Sequence, residues 1–171
     1  MSLSPESYEE SLQEFLVSVL YARVGEPGTM TGEGKTARFE IKRNFGGGTC
    51  AASSPLDYAL PSGRKMSHPC DILITLSGGK YVAIELQWAT DLADQLKVRA
   101  YDMLHLKQAL GKQLSAIMIY LRAGTGGVSA EQVREICYPF DQFNALEHQD
   151  PQNPAIWIPI LDQIEAQIRG D

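Results

Sequence analysis

The sequence lacks any long apolar run, and no stretch reaches the roughly 18 apolar residues that a membrane-spanning helix requires. The first ten residues, MSLSPESYEE, lack the basic segment and following apolar stretch of a secretory signal. The cysteines Cys50, Cys70 and Cys137 are odd in number and widely separated, which argues against a disulfide framework or a zinc knuckle. These absences predict a cytoplasmic protein with reduced thiols and no membrane partner.

Strong positive charge is also absent, since the net charge is −6, but the charges are unevenly distributed. Residues 35–112 carry eleven basic and seven acidic side chains, whereas residues 1–34 and 113–171 are each net −5. A basic island between acidic ends suits an anionic ligand that binds the middle of the chain. Chance segregation of charge in short windows explains the pattern equally well.

The length and composition indicate one globular domain. The chain has 171 residues, of which 44% are hydrophobic and 21% are charged. A domain commonly has about 100–200 residues, and these proportions are ordinary for a folded protein. Hydrophobic periodicity and turn signals predict the following elements: a helix over 5–22, a strand over 36–43, a long loop over 44–68, hairpin strands over 71–76 and 80–88, a helix over 91–110, a strand over 115–121, a short helix from Ser129, an edge strand over 155–158 and a terminal helix from Ile160. This order predicts an α/β fold with a mixed central sheet flanked by helices.

The hairpin predicts a cluster of polar side chains. A three-residue loop, Ser77-Gly78-Gly79, sets the register in which the apolar sets of the two strands merge on one face. In that register Asp71 lies opposite Glu85, and Gln87 lies two residues further along on the same face. Two carboxylates this close repel each other unless a cation lies between them, and a hard divalent ion would satisfy both. The alternative is that both acids belong to the solvated face of an amphipathic hairpin.

The next helix offers a cation on its apolar side. Arg99 falls close to the apolar stripe of that helix, at about 100° per residue. A guanidinium in such a position needs an anionic partner, for which Glu85 or a substrate phosphate would serve. The alternative is that Arg99 extends past the edge of the sheet into solvent.

The motif around these acids resembles that of the PD-(D/E)xK nuclease superfamily, which is restriction-endonuclease-like. His68-Pro69-Cys70-Asp71 is followed, after thirteen residues, by Glu85-Leu86-Gln87. The predicted order of elements over residues 5–121 is similar to the core of that superfamily. Cys70 separates the proline from the aspartate, and Gln87 stands where the family has lysine. This Glu-x-Gln form resembles the transposase-like recombination-promoting nucleases.

The resemblance implies a single domain over residues 1–171, with an αβββαβ core at about 5–121 and a C-terminal helical extension over 122–171. It also implies a metal-dependent nuclease that acts on nucleic acid, with DNA as the expected substrate. Asp71, Glu85 and the backbone carbonyl of Leu86 would bind Mg²⁺ or Mn²⁺. Gln87 would orient the attacking water, and Arg99 or Lys97 would stabilise phosphate charge.

Basic side chains would hold the nucleic-acid backbone and make binding sensitive to salt. These residues are Lys35, Arg38, Lys42, Arg43, Arg64, Lys65 and Lys97. Cutting of duplex DNA by one small domain would require a homodimer. Two other readings stay open. One is a catalytically degenerate relative that binds nucleic acid or protein, which the missing lysine and the isoelectric point of about 5.1 favour. The other is an α/β domain unrelated to nucleases, with exposed hairpin acids.

Overall fold

A computed structural model describes residues 5–24, 42–45, 48–76, 78–88, 93–122, 128–147 and 153–169. Its helices and strands are, in chain order, α1 (Pro5–Val24), β1 (Lys42–Phe45), β2 (Gly48–Ala59), β3 (Lys65–Leu76), β4 (Lys80–Trp88), α2 (Ala93–Leu110), β5 (Leu114–Arg122), α3 (Ala130–Ile136), β6 (Gln142–Glu147) and α4 (Ile158–Arg169). Short 3₁₀ turns cover Gly111–Gln113 and Pro154–Trp157. None of these helices is long and apolar enough to cross a lipid bilayer.

The strands form one mixed sheet in the order β1-β2-β3-β4-β5-β6. The pairs β1–β2, β2–β3 and β3–β4 are antiparallel, and the pairs β4–β5 and β5–β6 are parallel. The β4–β5 step needs a long crossover because parallel strands cannot be joined by a tight turn, and α2 supplies it. The predicted fold class, an α/β domain with a mixed sheet flanked by helices, is therefore confirmed.

Each face of the sheet has its own hydrophobic core. Side chains of α1 and α4 pack against one face together with Ile72, Ile84 and Ile117. Side chains of α2 and α3 pack against the other face together with Leu73 and Met118. Because β5 is covered on both faces, it is an almost continuous apolar run rather than an alternating one. The sheet therefore presents one face to α2, and that face carries the candidate site.

The hairpin register is the one that the sequence predicts. The pairs run from Leu76 opposite Lys80 to Ile72 opposite Ile84. Gly79 has a φ of +72°, in the left-handed region where glycine is favoured, as the three-residue loop requires. This turn holds the apolar side chains of both strands on shared faces. As a result, Asp71 and Glu85 follow directly after the last backbone pair.

The predicted long loop over residues 44–68 is wrong. This segment contains all of β2 and the first residues of β3, and the two strands pair from Thr49 opposite Thr75 to Ala59 opposite Lys65. The β2 sequence, GTCAASSPLDYA, is rich in small residues and contains Pro55, so its strand preference is weak and pairing with β3 determines its conformation. Pro55 lies opposite Pro69. Neither proline has a backbone N–H, which fits a pair of residues that exchange no backbone hydrogen bonds.

The C-terminal part also differs from prediction. Residues 155–158 belong to a 3₁₀ turn and the start of α4, not to an edge strand. Pro159 is the second residue of α4, where a helix needs no backbone N–H. The sixth strand is β6, whose sequence QFNALE has no clear alternation. The short helix after Ser129 is confirmed with its capping box. Residues 36–41 of the predicted first strand lie outside the described residues.

Candidate active site

A gap between two neighbouring strands forms the site. The pairing between β3 and β4 ends at Ile72 opposite Ile84. Beyond this pair, β3 continues back to Lys65 paired only with β2, and β4 continues to Trp88 paired only with β5. The two strands therefore diverge, and we call the gap between residues 65–71 and 85–88 the fork. Asp71 and Glu85 lie at its base, one on each strand.

Asp71 ties the base of the fork together. Its Oδ2 atom accepts a hydrogen bond of 2.7 Å from the backbone N–H of Leu86. A side chain thus replaces the backbone acceptor that a continued antiparallel ladder would supply. The N–H and C=O groups of one strand residue project to the same side, so the Leu86 carbonyl also faces the fork. The two carboxylates and this carbonyl are the oxygen ligands that the resemblance implies.

Arg99 connects both carboxylates. Its Nη1 atom lies 2.7 Å from Oε2 of Glu85 and 3.1 Å from Oδ2 of Asp71. The α2 helix positions the guanidinium because it packs on this face through Leu96 and Met103. Of the two alternatives for Arg99, the structure shows an anionic partner and not an extension into solvent. The positive charge relieves the repulsion between the two acids.

His68 completes the cluster. Its Nε2 atom lies 2.9 Å from Oε1 of Glu85, and its Nδ1 atom lies 3.9 Å from a carboxylate oxygen of Asp102. The reading of His68 as a loop residue is wrong, because it belongs to β3. Asp102 does not appear among the predicted site residues. Its position three residues after Arg99, on the same side of α2, is the signal that could have identified it.

A rotation of β3 brings His68 to the α2 face. In a regular strand Cys70 and Ile72 would share a face. Here Ile72 packs in the α1 and α4 core, whereas Cys70 packs in the α2 and α3 core. The register with β2 is the same on both sides of Asp71, from Ala52 opposite Ile72 to Ser54 opposite Cys70, so β3 is continuous and no residue is inserted. The strand twists at this point, which turns the preceding residues towards Glu85.

Burial and hydrogen bonding raise the proton affinity of the Glu85–His68 pair. Burial raises the pKa of Glu85 to about 7, and the Asp71 charge adds to this effect, while His68 and Arg99 oppose it. Burial lowers the pKa of His68, but its hydrogen bond to Glu85 and the charges of Glu85 and Asp102 outweigh burial, so the net shift is upward. The pair therefore retains a proton to higher pH than the separate groups would.

Two further side chains border the cluster. Gln87 is buried, and its Nε2 atom donates a hydrogen bond of 2.9 Å to the carbonyl of Trp88. Its predicted role in orienting water stays a prediction. The thiol of Cys70 is buried, and burial raises its pKa, as do the charges of Glu85 and Asp71. It is therefore protonated at neutral pH.

The predicted nucleic-acid-binding residues are spread around the fork. Arg64 and Lys65 are exposed at the turn between β2 and β3, six residues or about 20 Å along the strand from Asp71. Lys97 is exposed on α2, where it contacts Asp94 at 3.2 Å. Lys42 and Arg43 belong to β1, and their side chains lie outside the described part of the chain, as do Lys35 and Arg38 entirely.

No protein-family model matches this sequence. No curated protein matches it either. Among solved structures, the chain is similar to the small subunit of the heterodimeric restriction endonuclease R.BspD6I, with 16% sequence identity and a TM-score of 0.39. The similarity covers 96% of this chain and 87% of that subunit. A TM-score this low establishes neither a shared fold nor a shared function, so the functional conclusion depends on the site itself.

Proposed function

We propose that this protein is a metal-dependent nuclease that hydrolyses phosphodiester bonds of nucleic acid at the fork. The observation that supports this most strongly is the convergence of Asp71 and Glu85 on one cation, the guanidinium of Arg99. Two carboxylates that share a positive charge, one of them almost fully buried, are costly for folding alone. Functional sites are where such costs are commonly found.

The donor set fits a hard divalent ion. Asp71, Glu85 and the Leu86 carbonyl would supply oxygen ligands, which Mg²⁺ and Mn²⁺ prefer. The contact with Arg99 shows that the base of the fork stabilises positive charge. A bound divalent ion would supply an activated water molecule and neutralise charge on the phosphate. Arg99 competes for the same oxygens, so ion binding requires its guanidinium to leave at least one carboxylate.

The remaining residues have separable roles in this proposal. The contact of His68 with Oε1 of Glu85 fixes the carboxylate, so that Oε2 points to the base of the fork. Arg99, when released from the acids, donates hydrogen bonds to a phosphate in a planar, two-pronged geometry. Gln87 offers an amide that orients water without supplying charge. Lys97 is exposed on α2 and is the proposed second source of positive charge for the phosphate.

DNA is the proposed substrate, and a homodimer is the proposed form that cuts duplex. The exposed turn that carries Arg64 and Lys65 provides the electrostatic contact with the backbone. Lys42 and Arg43 of β1 are further proposed contacts with the nucleic acid. Two copies of one domain would place one fork at each strand of a duplex.

The test is cleavage of supercoiled plasmid and single-stranded DNA at low salt, with Mg²⁺, Mn²⁺ or a chelator. The wild-type protein should cut only with the ion, and Asp71→Asn should not cut. Asp162→Asn is the matched control, because Asp162 is an exposed acid on α4, on the opposite side of the sheet. Equal cleavage by wild type and Asp71→Asn would contradict the proposal.

Binding of DNA should depend on the turn between β2 and β3. In the Asp71→Asn background, the double variant Arg64→Ala/Lys65→Ala should reduce the slope of log K against log salt by about 0.9 for each phosphate that the protein no longer neutralises. Fluorescence anisotropy with a labelled duplex measures this slope. Lys80→Ala/Lys112→Ala is the matched control, because both lysines are exposed at the other end of β4 from the fork. An equal change in both double variants would contradict a specific role for the turn.

A second candidate function is a catalytically inactive relative that binds nucleic acid or protein. Two observations favour it: glutamine replaces lysine at position 87, and Arg99 already occupies the place of the cation. Under this alternative the wild-type protein cuts no DNA, and divalent ions do not raise its melting temperature. Binding to DNA alone would then identify a nucleic-acid-binding module.

A further inference from the structure

A second set of ligand atoms lies beside the oxygen ligands of the fork. His68, Cys70 and Glu85 each offer one nitrogen, sulfur or oxygen atom, and these atoms all lie within 4.8 Å of one another. All three residues are buried. The twist of β3 at Asp71 turns His68 and Cys70 towards β4. A hard-metal nuclease site has no use for a buried thiol, so this set needs a separate explanation.

We propose that His68, Cys70 and Glu85 form a binding site for a thiophilic divalent transition ion such as Zn²⁺. The site shares Glu85 with the proposed Mg²⁺ site, but it differs from that site in the sulfur and nitrogen ligands. Thiolate and imidazole favour Zn²⁺ and Co²⁺ over Mg²⁺. A water molecule would complete a four-coordinate arrangement.

The surroundings of His68 support this assignment independently. A carboxylate oxygen of Asp102 lies 3.9 Å from Nδ1 of His68, on the side of the ring away from Glu85. A carboxylate behind an imidazole is the usual way in which proteins orient a zinc-binding histidine and fix its tautomer. At 3.9 Å the contact with Asp102 is electrostatic and longer than a hydrogen bond, and Nε2 of His68 is directed at Glu85, where the ion would lie. Asp102 would therefore act as a positioning residue rather than as a ligand.

The charges of such a complex balance. Binding converts the Cys70 thiol to a thiolate and displaces the proton that the His68–Glu85 pair holds, and both protons go to solvent. Bonds to the ion replace the His68–Glu85 contact. One thiolate and one carboxylate neutralise the two positive charges of the ion, which makes burial tolerable. Glu85 serves the two sites through different atoms, Oε1 towards His68 and Oε2 towards the base of the fork.

Titration with Co²⁺ tests the proposal through the near-ultraviolet charge-transfer band of a cobalt–thiolate bond. Wild-type protein should show the band, and Cys70→Ser should not. Cys137→Ser is the matched control, since Cys137 is a second buried thiol in the same core. Asp102→Asn should retain the band but weaken Co²⁺ binding about tenfold. Zn²⁺ should abolish the band by displacing Co²⁺.

The result can be separated from the outcome of the nuclease test. Asp71→Asn removes a proposed Mg²⁺ ligand but leaves His68, Cys70 and Glu85 in place, so it should keep the cobalt band. If Cys70→Ser does not fold, His68→Asn serves instead, and it should weaken Co²⁺ binding by more than about tenfold. Absence of the band in wild type, or its persistence in Cys70→Ser, would overturn the proposal.

Discussion

Replacing Arg99 with methionine should lower the free energy of unfolding of the metal-free protein by about 3 kcal/mol. The guanidinium is the cation that Asp71 and Glu85 share, and Glu85 is almost fully buried. Its removal leaves His68 as the remaining partner of Glu85 in a medium of low dielectric constant, and it removes the cation that Asp71 and Glu85 share. Methionine retains much of the aliphatic volume of arginine. The loss of stability therefore measures the removal of the charge and not the creation of a cavity. Urea denaturation in the presence of a chelator measures the change.

The same variant should bind divalent ions more tightly. Arg99 no longer competes for the carboxylate oxygens, and we expect the affinity for Mn²⁺ to rise about tenfold, which corresponds to about 1.4 kcal/mol. Added Mn²⁺ should therefore restore most of the lost stability. A lower free energy of unfolding without metal, combined with a higher affinity for Mn²⁺, distinguishes a metal site from a purely structural ion pair.

Arg134→Met is the control for the Arg99 prediction. Arg134 is exposed on α3 and contacts the ring of Phe143, with its guanidinium carbon 5.4 Å from the ring centroid. Its loss should cost less than about 1 kcal/mol and leave Mn²⁺ binding unchanged. An Arg99→Met protein that is destabilised but gains nothing from Mn²⁺ would show that the guanidinium serves the fold alone.

Replacing Glu85 with glutamine should reduce metal-dependent cleavage about a thousandfold. The change removes a charged metal ligand, whose contribution to stabilising transition-state charge is several kcal/mol. Glutamine has nearly the same shape, and its amide oxygen can still accept a hydrogen bond from His68. Cleavage rates with saturating Mg²⁺ measure the loss. Glu135→Gln, at an exposed position on α3, provides the matched control and should cut at the wild-type rate.

The stability of Glu85→Gln should rise relative to wild type as the pH increases from 5 to 8. The pKa of Glu85 is about 7 in the folded protein, above its ordinary 4.5, so the folded state binds more protons in this interval than the unfolded state. The contribution of Glu85 protonation to the stability of the wild-type protein is therefore fully present below pH 4.5, and it is lost as the pH rises through 7. The difference between variants changes by at most about 1.4 kcal/mol per pH unit for one proton.

Urea denaturation in chelator at several pH values measures this dependence. Glu135→Gln should follow the wild-type curve throughout. A constant difference between Glu85→Gln and wild type from pH 5 to 8 would mean that Glu85 does not retain a proton in the folded state. A gain in stability combined with a loss of cleavage would place Glu85 among the residues that serve activity at a cost in folding.

The hairpin and its acids could be predicted because the relevant signals are local. Alternation and a glycine turn determine which residues of β3 and β4 share a face, and a slip by one residue would expose the apolar set. The position of Asp71 beside Glu85 follows from that register alone. The contact with Arg99 follows from helical periodicity together with the need of a partly buried cation for an anion.

Other features depend on tertiary structure and have no local signal. β2 and β6 have weak strand preferences, and each is held by pairing with a stronger neighbour. The role of His68 depends on the rotation of β3 at Asp71, because regular alternation would place His68 on the same face as Ile72. Pro159 does give a local signal, but the signal is ambiguous, since a proline fits the first turn of a helix as well as an edge strand.

Isothermal titration of the wild-type protein and Asp71→Asn with Mn²⁺ tests the central claim most directly. This measurement requires neither substrate nor turnover. It therefore tests the metal site independently of whether Gln87 can replace lysine in catalysis. We predict one Mn²⁺ per chain in wild type and binding at least about tenfold weaker in Asp71→Asn, a difference of about 1.4 kcal/mol or more. No Mn²⁺ binding by wild type, or equal binding by both proteins, would contradict a divalent metal site at Asp71 and Glu85.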